Sequence, residues 1–206
     1  MENWELKANS KLSRKIIKKI RKIDIYALKF LLPLKKYKIF NLFSKFGNFS
    51  VCLIFILLFY LFSKLFEPFK LFWFLALYCL FIDTLIIFIL KYSIKRKRYF
   101  VNITQKKLDP YSFPSGHVSR LSSFFFIFIY VYIFPLNYSK PPLYIVTILS
   151  VMFFIFMILT MLARIIKGYH YFSDCIFGFL FGLLSVFLAN ISFIYMLSIL
   201  LKIRTM

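Results

Sequence analysis

A chain of 206 residues that is 62% hydrophobic, with mean hydropathy +0.81, is too apolar for a soluble domain with an ordinary surface. An integral membrane protein built as one compact helical bundle is the expectation. The net charge of +21, from 28 Lys+Arg against 7 Asp+Glu, fits a positive rim beside membrane spans or an anionic lipid or substrate; it disfavours nucleic acid, because the basic segments adjoin apolar runs.

Cys52, Cys79 and Cys175 each lie inside an apolar run and show no metal, redox or disulfide spacing. They read as small buried residues. The 30 Phe beside only 5 Gly suggest codon bias rather than an aromatic binding surface. The polar, basic N-terminus lacks the apolar core of a signal peptide.

Residues 1–46 form a basic arm. Leu12, Ile16, Ile20 and Ile23 recur at helical spacing, with Lys15, Lys18, Lys19, Arg21 and Lys22 between them. That pattern predicts an amphipathic helix on an anionic membrane surface; a solvated tail is the alternative. Residues 25–43, interrupted by Pro33 and several lysines, read as interfacial.

Residues 47–206 read as an all-α polytopic transmembrane domain of about five to six spans. The predicted spans are Phe49–Phe66, Leu71–Leu90, His117–Phe134, Leu143–Leu162 and a long last run from Tyr171 to about Leu201. Glu67-Pro68 and Pro135–Pro142 are the predicted turns, and Asn190 suggests a bend in the last run. Counted through these hairpins, the arm and the loops carrying His117 and His170 share one face. That face holds nearly all the basic residues, so the positive-inside rule puts it in the cytosol.

Three polar islands interrupt the apolar runs. The first is Lys91 to Arg98, the second Asp109 to Arg120, and the third Ala163 to Asp174. In the third, His170 and Asp174 are four apart at a predicted helix start, which puts both on one face. Asp174 can then hold one imidazole nitrogen and leave the other nucleophilic. Gly178-x-x-x-Gly182 continues that face as a close-packing signature. In the second island, Pro114 suits a first helical turn. Ser115 and Gly116 offer N–H groups and a hydroxyl to an anion, with His117 and Arg120 beside them.

Lys91, Arg98 and Arg164 supply three cations, the charge a phosphoryl transition state needs. Lys95, Arg96 and Lys97 read as a juxtamembrane rim. No Asp/Glu cluster is available for Mg²⁺, so a site working without metal or other cofactor is expected. Asp83 is an intramembrane carboxylate seeking a cation such as Arg120, or hydrogen-bonded to a neighbouring helix.

Lys91-x6-Arg98, Pro114-Ser115-Gly116-His117 and Arg164-x5-His170-x3-Asp174, in that order and each at a helix boundary, resemble the type 2 phosphatidic acid phosphatase (PAP2) superfamily over roughly residues 50–190. Tyr111-Ser-Phe-Pro-Ser-Gly-His-x-x-Arg120 and Asp83 look most like its polyisoprenoid (presqualene) diphosphate phosphatase branch. The resemblance implies that His170 attacks phosphorus to form a phosphohistidine and that Asp174 orients it. His117 would protonate the leaving oxygen and then activate water, while Lys91, Arg98, Arg164, Ser115 and Gly116 bind phosphoryl oxygens. It also suggests the endoplasmic reticulum.

Two positions depart from the family pattern. Tyr99 stands where Pro is usual, which could loosen the loop holding Arg98. Ala163 stands where Ser is frequent, which removes one phosphate hydrogen bond. The leading expectation is a phosphatase of isoprenyl diphosphates. The alternatives are phosphatidic acid, lysophosphatidic acid or sphingoid phosphate as substrate, and a non-catalytic lipid-binding membrane protein. A transporter is disfavoured, because the polar groups cluster at one end.

Overall fold

The structure is a computed structural model that describes residues 11–64, 72–99, 110–133 and 142–204. The turns at Glu67-Pro68 and after Pro135, and Asp109, lie outside the described residues. Every regular element among those described is helical.

The arm contributes α1 (Lys11–Leu31), which ends as Pro33 opens a five-residue 3₁₀ turn at Leu32–Lys36. A short helix, α2 (Ile39–Phe43), follows. The apolar helices are α3 (Phe49–Ser63), α4 (Phe72–Ile94), α5 (Gly116–Ile133), α6 (Leu143–Ile166) and α7 (Phe172–Arg204). Among the described residues, four helices are long and apolar enough to cross a membrane: α4, α5, α6 and the Phe172–Phe193 part of α7. With 15 residues, α3 reaches only about 22 Å, short of a hydrocarbon core of about 30 Å.

The last run is one helix of 33 residues. It continues through Asn190 without a break in the helix. Asn190 Oδ1 accepts a hydrogen bond from Tyr130 Oη at 2.5 Å, which ties α7 to α5.

α5 is the central helix, with α4, α6 and α7 packed against it and α3 against α4. Phenylalanines fill the space between helices: Phe124 stacks on Phe153 and Phe72 on Phe128, with ring centroids 5.2 and 4.6 Å apart. The outer faces carry exposed Phe81, Phe88, Ile148, Ile155 and Phe187, as a lipid-facing surface requires.

The α5–α7 contact depends on missing side chains. A Cβ on Gly178 would stand 2.6 Å from the Ser115 carbonyl oxygen. A Cβ on Gly182 would run into Ser122 Oγ and the Ser119 carbonyl, and stand 2.9 Å from Ser123 N. Two of those neighbours are backbone and cannot yield without separating the helices. Gly182→Ala is therefore expected to destabilise the bundle by about 1–3 kcal/mol. A lowered thermal midpoint in detergent checks this, and an unchanged midpoint refutes it.

The C-terminal ends of α4 and α6 meet the N-terminal ends of α3, α5 and α7, and α1 packs across α6 and α7 at that end. All three polar islands belong to this end.

Candidate active site

The spacing between Arg164 and His170 has a local cause. α6 stops at Ile166, and Gly168 takes the left-handed conformation at φ 67°. The chain reverses there: Tyr169 N–H and His170 N–H both donate to the Arg164 carbonyl, at 3.0 and 3.4 Å. His170 is thereby folded back over the helix end that carries Arg164.

The hydrogen bonds of His170 define its tautomer. Nδ1 lies 2.6 Å from the Ser112 carbonyl oxygen. A carbonyl only accepts, so Nδ1 carries the proton. Nε2 then holds a lone pair, and it accepts from Arg164 Nη2 at 3.3 Å. The residue is buried. Burial first, then the charges of Arg164, Arg98, Lys91 and His117, holds its pKa well below the ordinary 6.5. His170 is thus a neutral imidazole whose unprotonated Nε2 faces a guanidinium.

This corrects one expectation. The Asp174 carboxylate stands 3.9 Å from His170 Nδ1 and does not hold it directly. The four-residue spacing presumed a helix through both residues, but α7 begins at Phe172 and His170 lies in the turn before it. Asp174 Oδ2 instead accepts the Tyr171 N–H at 2.9 Å, and Oδ1 meets Arg96 Nη1 at 2.6 Å.

Arg96 is the second correction. It read as a rim residue with Lys95 and Lys97, and those two are exposed. Arg96 is buried, paired to Asp174 and to Asp24 of α1, and laid over the Tyr171 ring at 4.1 Å. Burial works against its charge, but Asp174 and then Asp24 outweigh that and raise its pKa above the ordinary value.

The cations expected to hold phosphate do gather here. Arg98 donates to the Tyr169 carbonyl at 3.0 Å. Arg164 lies over the Tyr169 ring at 4.4 Å. Lys91 Nζ reaches the Tyr111 carbonyl at 3.4 Å. Tyr99, in the place of the usual Pro, packs edge-on to Tyr171, and Arg98 is buried despite it. Ala163 is buried.

His117 stands on the first turn of α5 and is half-buried. Its Nε2 donates to Asn48 Oδ1 at 2.6 Å. Asn48 occupies the N-cap of α3 yet makes no side-chain cap bond there. A favourable helix cap is forgone for the contact with His117. Gly47 closes on His117 from the other side; a Cβ there would lie 2.5 Å from His117 Cα. Arg120 donates to the Gly47 carbonyl at 3.1 Å.

Ser115 and Gly116 are placed differently from each other. The Ser115 N–H donates to the Asp174 carbonyl at 3.0 Å, and its side chain is fully buried. That N–H is therefore not offered to an anion, as the sequence suggested. Gly116 opens α5 and lines a cavity of about 190 Å³ with Lys91, His117 and Arg120. Thr84, Ile87 and Phe88 of α4 form the apolar side of that cavity. Phe88 is itself exposed on the lipid-facing surface.

Asp83 accepts from Ser119 Oγ and from Ser185 Oγ, the latter at 3.2 Å. Of its two readings, the bond to neighbouring helices is the one the geometry shows: it joins α4 to α5 and α7. Among the described residues the carboxylates are Asp24, Asp83 and Asp174, and all three are buried. Asp24, Arg96, Ser112 and Asn48 are the site residues that sequence reasoning missed. One signal was legible for Asp24: it is the sole acid between residues 6 and 66.

The PAP2 superfamily model matches residues 72–196. No curated protein matches the chain. Among solved structures, the transmembrane PAP2-type phosphatidylglycerolphosphate phosphatase from Bacillus subtilis is similar in fold, with TM-score 0.66 and 19% identity over 91% of this chain and 89% of that one. LpxE from Aquifex aeolicus aligns with TM-score 0.57 and 17% identity, over 81% of this chain and 94% of that one.

Proposed function

The chain belongs to the PAP2 superfamily, and on that premise we propose that it is a membrane lipid phosphatase that removes phosphate from polyisoprenoid diphosphates through a phosphohistidine, without metal. The observation that carries the mechanism is the fixed tautomer of His170, with Nδ1–H on Ser112 and the Nε2 lone pair facing Arg164. A phosphoryl group that displaces the Arg164 contact at Nε2 would meet the lone pair and the guanidinium together, aligned for attack and neutralised at once. Arg98 and Lys91 add charge close enough to act on His170.

The cavity supports a lipid substrate rather than a soluble one. Its polar end holds Lys91, His117 and Arg120, and its other side runs from the buried Ile87 to Phe88 on the lipid-facing surface of α4. A headgroup can sit at the first while its tail lies along the second. The motif Tyr111 to Arg120 supports the isoprenoid branch. The Bacillus subtilis neighbour, a phosphatidylglycerolphosphate phosphatase by name, favours a glycerolipid monoester as the second reading.

In this reading the exposed basic residues of α1, Lys15, Lys18, Lys19 and Lys22, rest on anionic lipid. The exposed Ile16, Ile23, Tyr26 and Phe30 dip into the interface. The site opens to the cytosol, and the endoplasmic reticulum or nuclear envelope is the membrane.

Phosphate release by purified protein in detergent with EDTA tests the reading. Farnesyl diphosphate, presqualene diphosphate, phosphatidic acid and phosphatidylglycerol phosphate are offered in parallel. Release that survives EDTA and is fastest for the diphosphates is the expected result. Faster release from the monoesters would move the protein to the glycerolipid reading, and no release from any would reject the enzyme.

A further inference from the structure

A carboxylate on a surface-binding basic arm has no reason to be buried. Asp24 sits on α1, outside the stretch matched by the family model, and is 1% exposed. An ionised group in such a place is strongly unfavourable unless several partners compensate it. Asp24 has them. Oδ2 pairs with Arg96 Nη2 at 2.7 Å and accepts from Ser173 Oγ at 2.7 Å, and Oδ1 accepts the Ser173 N–H at 2.8 Å. Ser173 lies in the first turn of α7, so Asp24 also meets one of the helix donors that have no partner within the helix.

From Asp24 a continuous chain of short bonds leads to His170. Arg96 lies between Asp24 and Asp174, its Nη1 also 2.8 Å from Ser173 Oγ. The Arg96 carbonyl accepts from Ser112 N–H at 2.8 Å and from Ser112 Oγ at 3.2 Å. The Ser112 carbonyl in turn takes His170 Nδ1–H at 2.6 Å. Lys95, just before Arg96, adopts a left-handed backbone at φ 53°, an unfavourable conformation for a residue with a side chain. The chain turns sharply there, and Arg96 is carried inward while Lys95 and Lys97 stay exposed.

We propose that Asp24 is a positioning residue for His170: from α1 it fixes Arg96, and Arg96 fixes the Ser112 carbonyl that sets the tautomer of the imidazole. The proposal rests on His170 being the reacting group. The arm is then part of the active site as well as a membrane contact. Two carboxylates on one guanidinium explain why the fork has a single orientation, since each takes a different Nη.

The test uses the full chain in detergent. The sequence has two histidines, so His117→Gln leaves His170 as the sole imidazole, and its ¹⁵N chemical shifts report the tautomer directly. In that background Asp24→Ala is expected to turn a fixed Nδ1–H form into a tautomer average. With His117 present, Asp24→Ala lowers kcat by about 10- to 100-fold with KM within about twofold, and Asp24→Glu recovers part of kcat. Asp24→Asn serves the same readouts if the alanine variant does not fold.

Leu28→Ala is the control. It loosens the buried arm contact without touching the carboxylate. A fixed tautomer with unchanged kcat in the Asp24 variants would overturn the proposal. So would an equal loss in both readouts from Leu28→Ala, which would make Asp24 a docking residue only. If the unsubstituted protein hydrolyses no lipid phosphate, the functional reading fails, while the tautomer comparison still decides the role of Asp24.

Discussion

His170→Ala is expected to lower phosphate release by about four orders of magnitude or more, with little change in substrate binding. The geometry separates the two effects. Lys91, Arg98 and Arg164 come from other elements and remain when the imidazole is removed, so on the proposed roles the headgroup should still be held. What is lost is the Nε2 lone pair that faces Arg164. The unsubstituted enzyme should form a base-stable, acid-labile phosphoryl adduct on quenching, and the alanine variant should not. The pH dependence follows from the same site. The pKa of His170 is held well below 6.5 by burial and then by Arg164 and its neighbours. The imidazole therefore stays neutral through pH 6.5 and binds a proton only well below it. The limb of kcat/KM that reports His170 should fall on the acid side of 6.5, since kcat/KM reports the free enzyme. A variant retaining more than about 1% of activity, on a background where 10⁴ is expected, would remove His170 as nucleophile.

How much of this was legible in the chain depends on whether a feature is local. The lipid-facing helices follow from apolar runs, and Gly178 and Gly182 announce the close α5–α7 approach, because both signals are carried by neighbours in sequence. The partner of His170 is not. Spacing alone favoured Asp174, but a helix boundary two residues later places His170 in a turn, and a backbone carbonyl from the second island takes its proton. No side-chain pattern marks a carbonyl. Arg96 was hidden for a related reason. In a run of Lys, Arg, Lys and Arg the composition is that of a solvated rim, and only the left-handed turn at Lys95 separates the buried guanidinium from its exposed neighbours. Asn48 shows a third kind of blindness. It stands at the N-cap of α3, and it is the contact with His117, 69 residues away, that takes its side chain.

His117→Ala is expected to affect the two candidate substrate classes unequally, and that inequality identifies the substrate. On the proposed roles, in the first step His170 Nε2 forms a bond to phosphorus and the bond to the leaving oxygen breaks; His117, as an imidazolium, gives one proton to that oxygen and becomes neutral. In the second step water attacks phosphorus, its proton returns to His117, and the P–N bond breaks to release phosphate. A lipid monoester expels an alcohol, whose alkoxide is about as basic as hydroxide, so the first step needs a proton. A lipid diphosphate expels a phosphate monoester with a second pKa of about 6, which leaves without one. For monoesters the variant should lose about 10²- to 10⁴-fold in the first step. For diphosphates the first step should survive while the second fails, so that phosphohistidine accumulates and a burst of about one product per enzyme precedes slow turnover. The resting geometry supplies the position for this exchange, because Asn48 holds the His117 ring by its Nε2–H at the edge of the cavity lined by Lys91 and Arg120. Rapid-quench measurements on farnesyl diphosphate and phosphatidic acid compare the two directly. Equal losses without a burst on either substrate would show that His117 does not transfer the proton, and would return that role to a residue outside the second island.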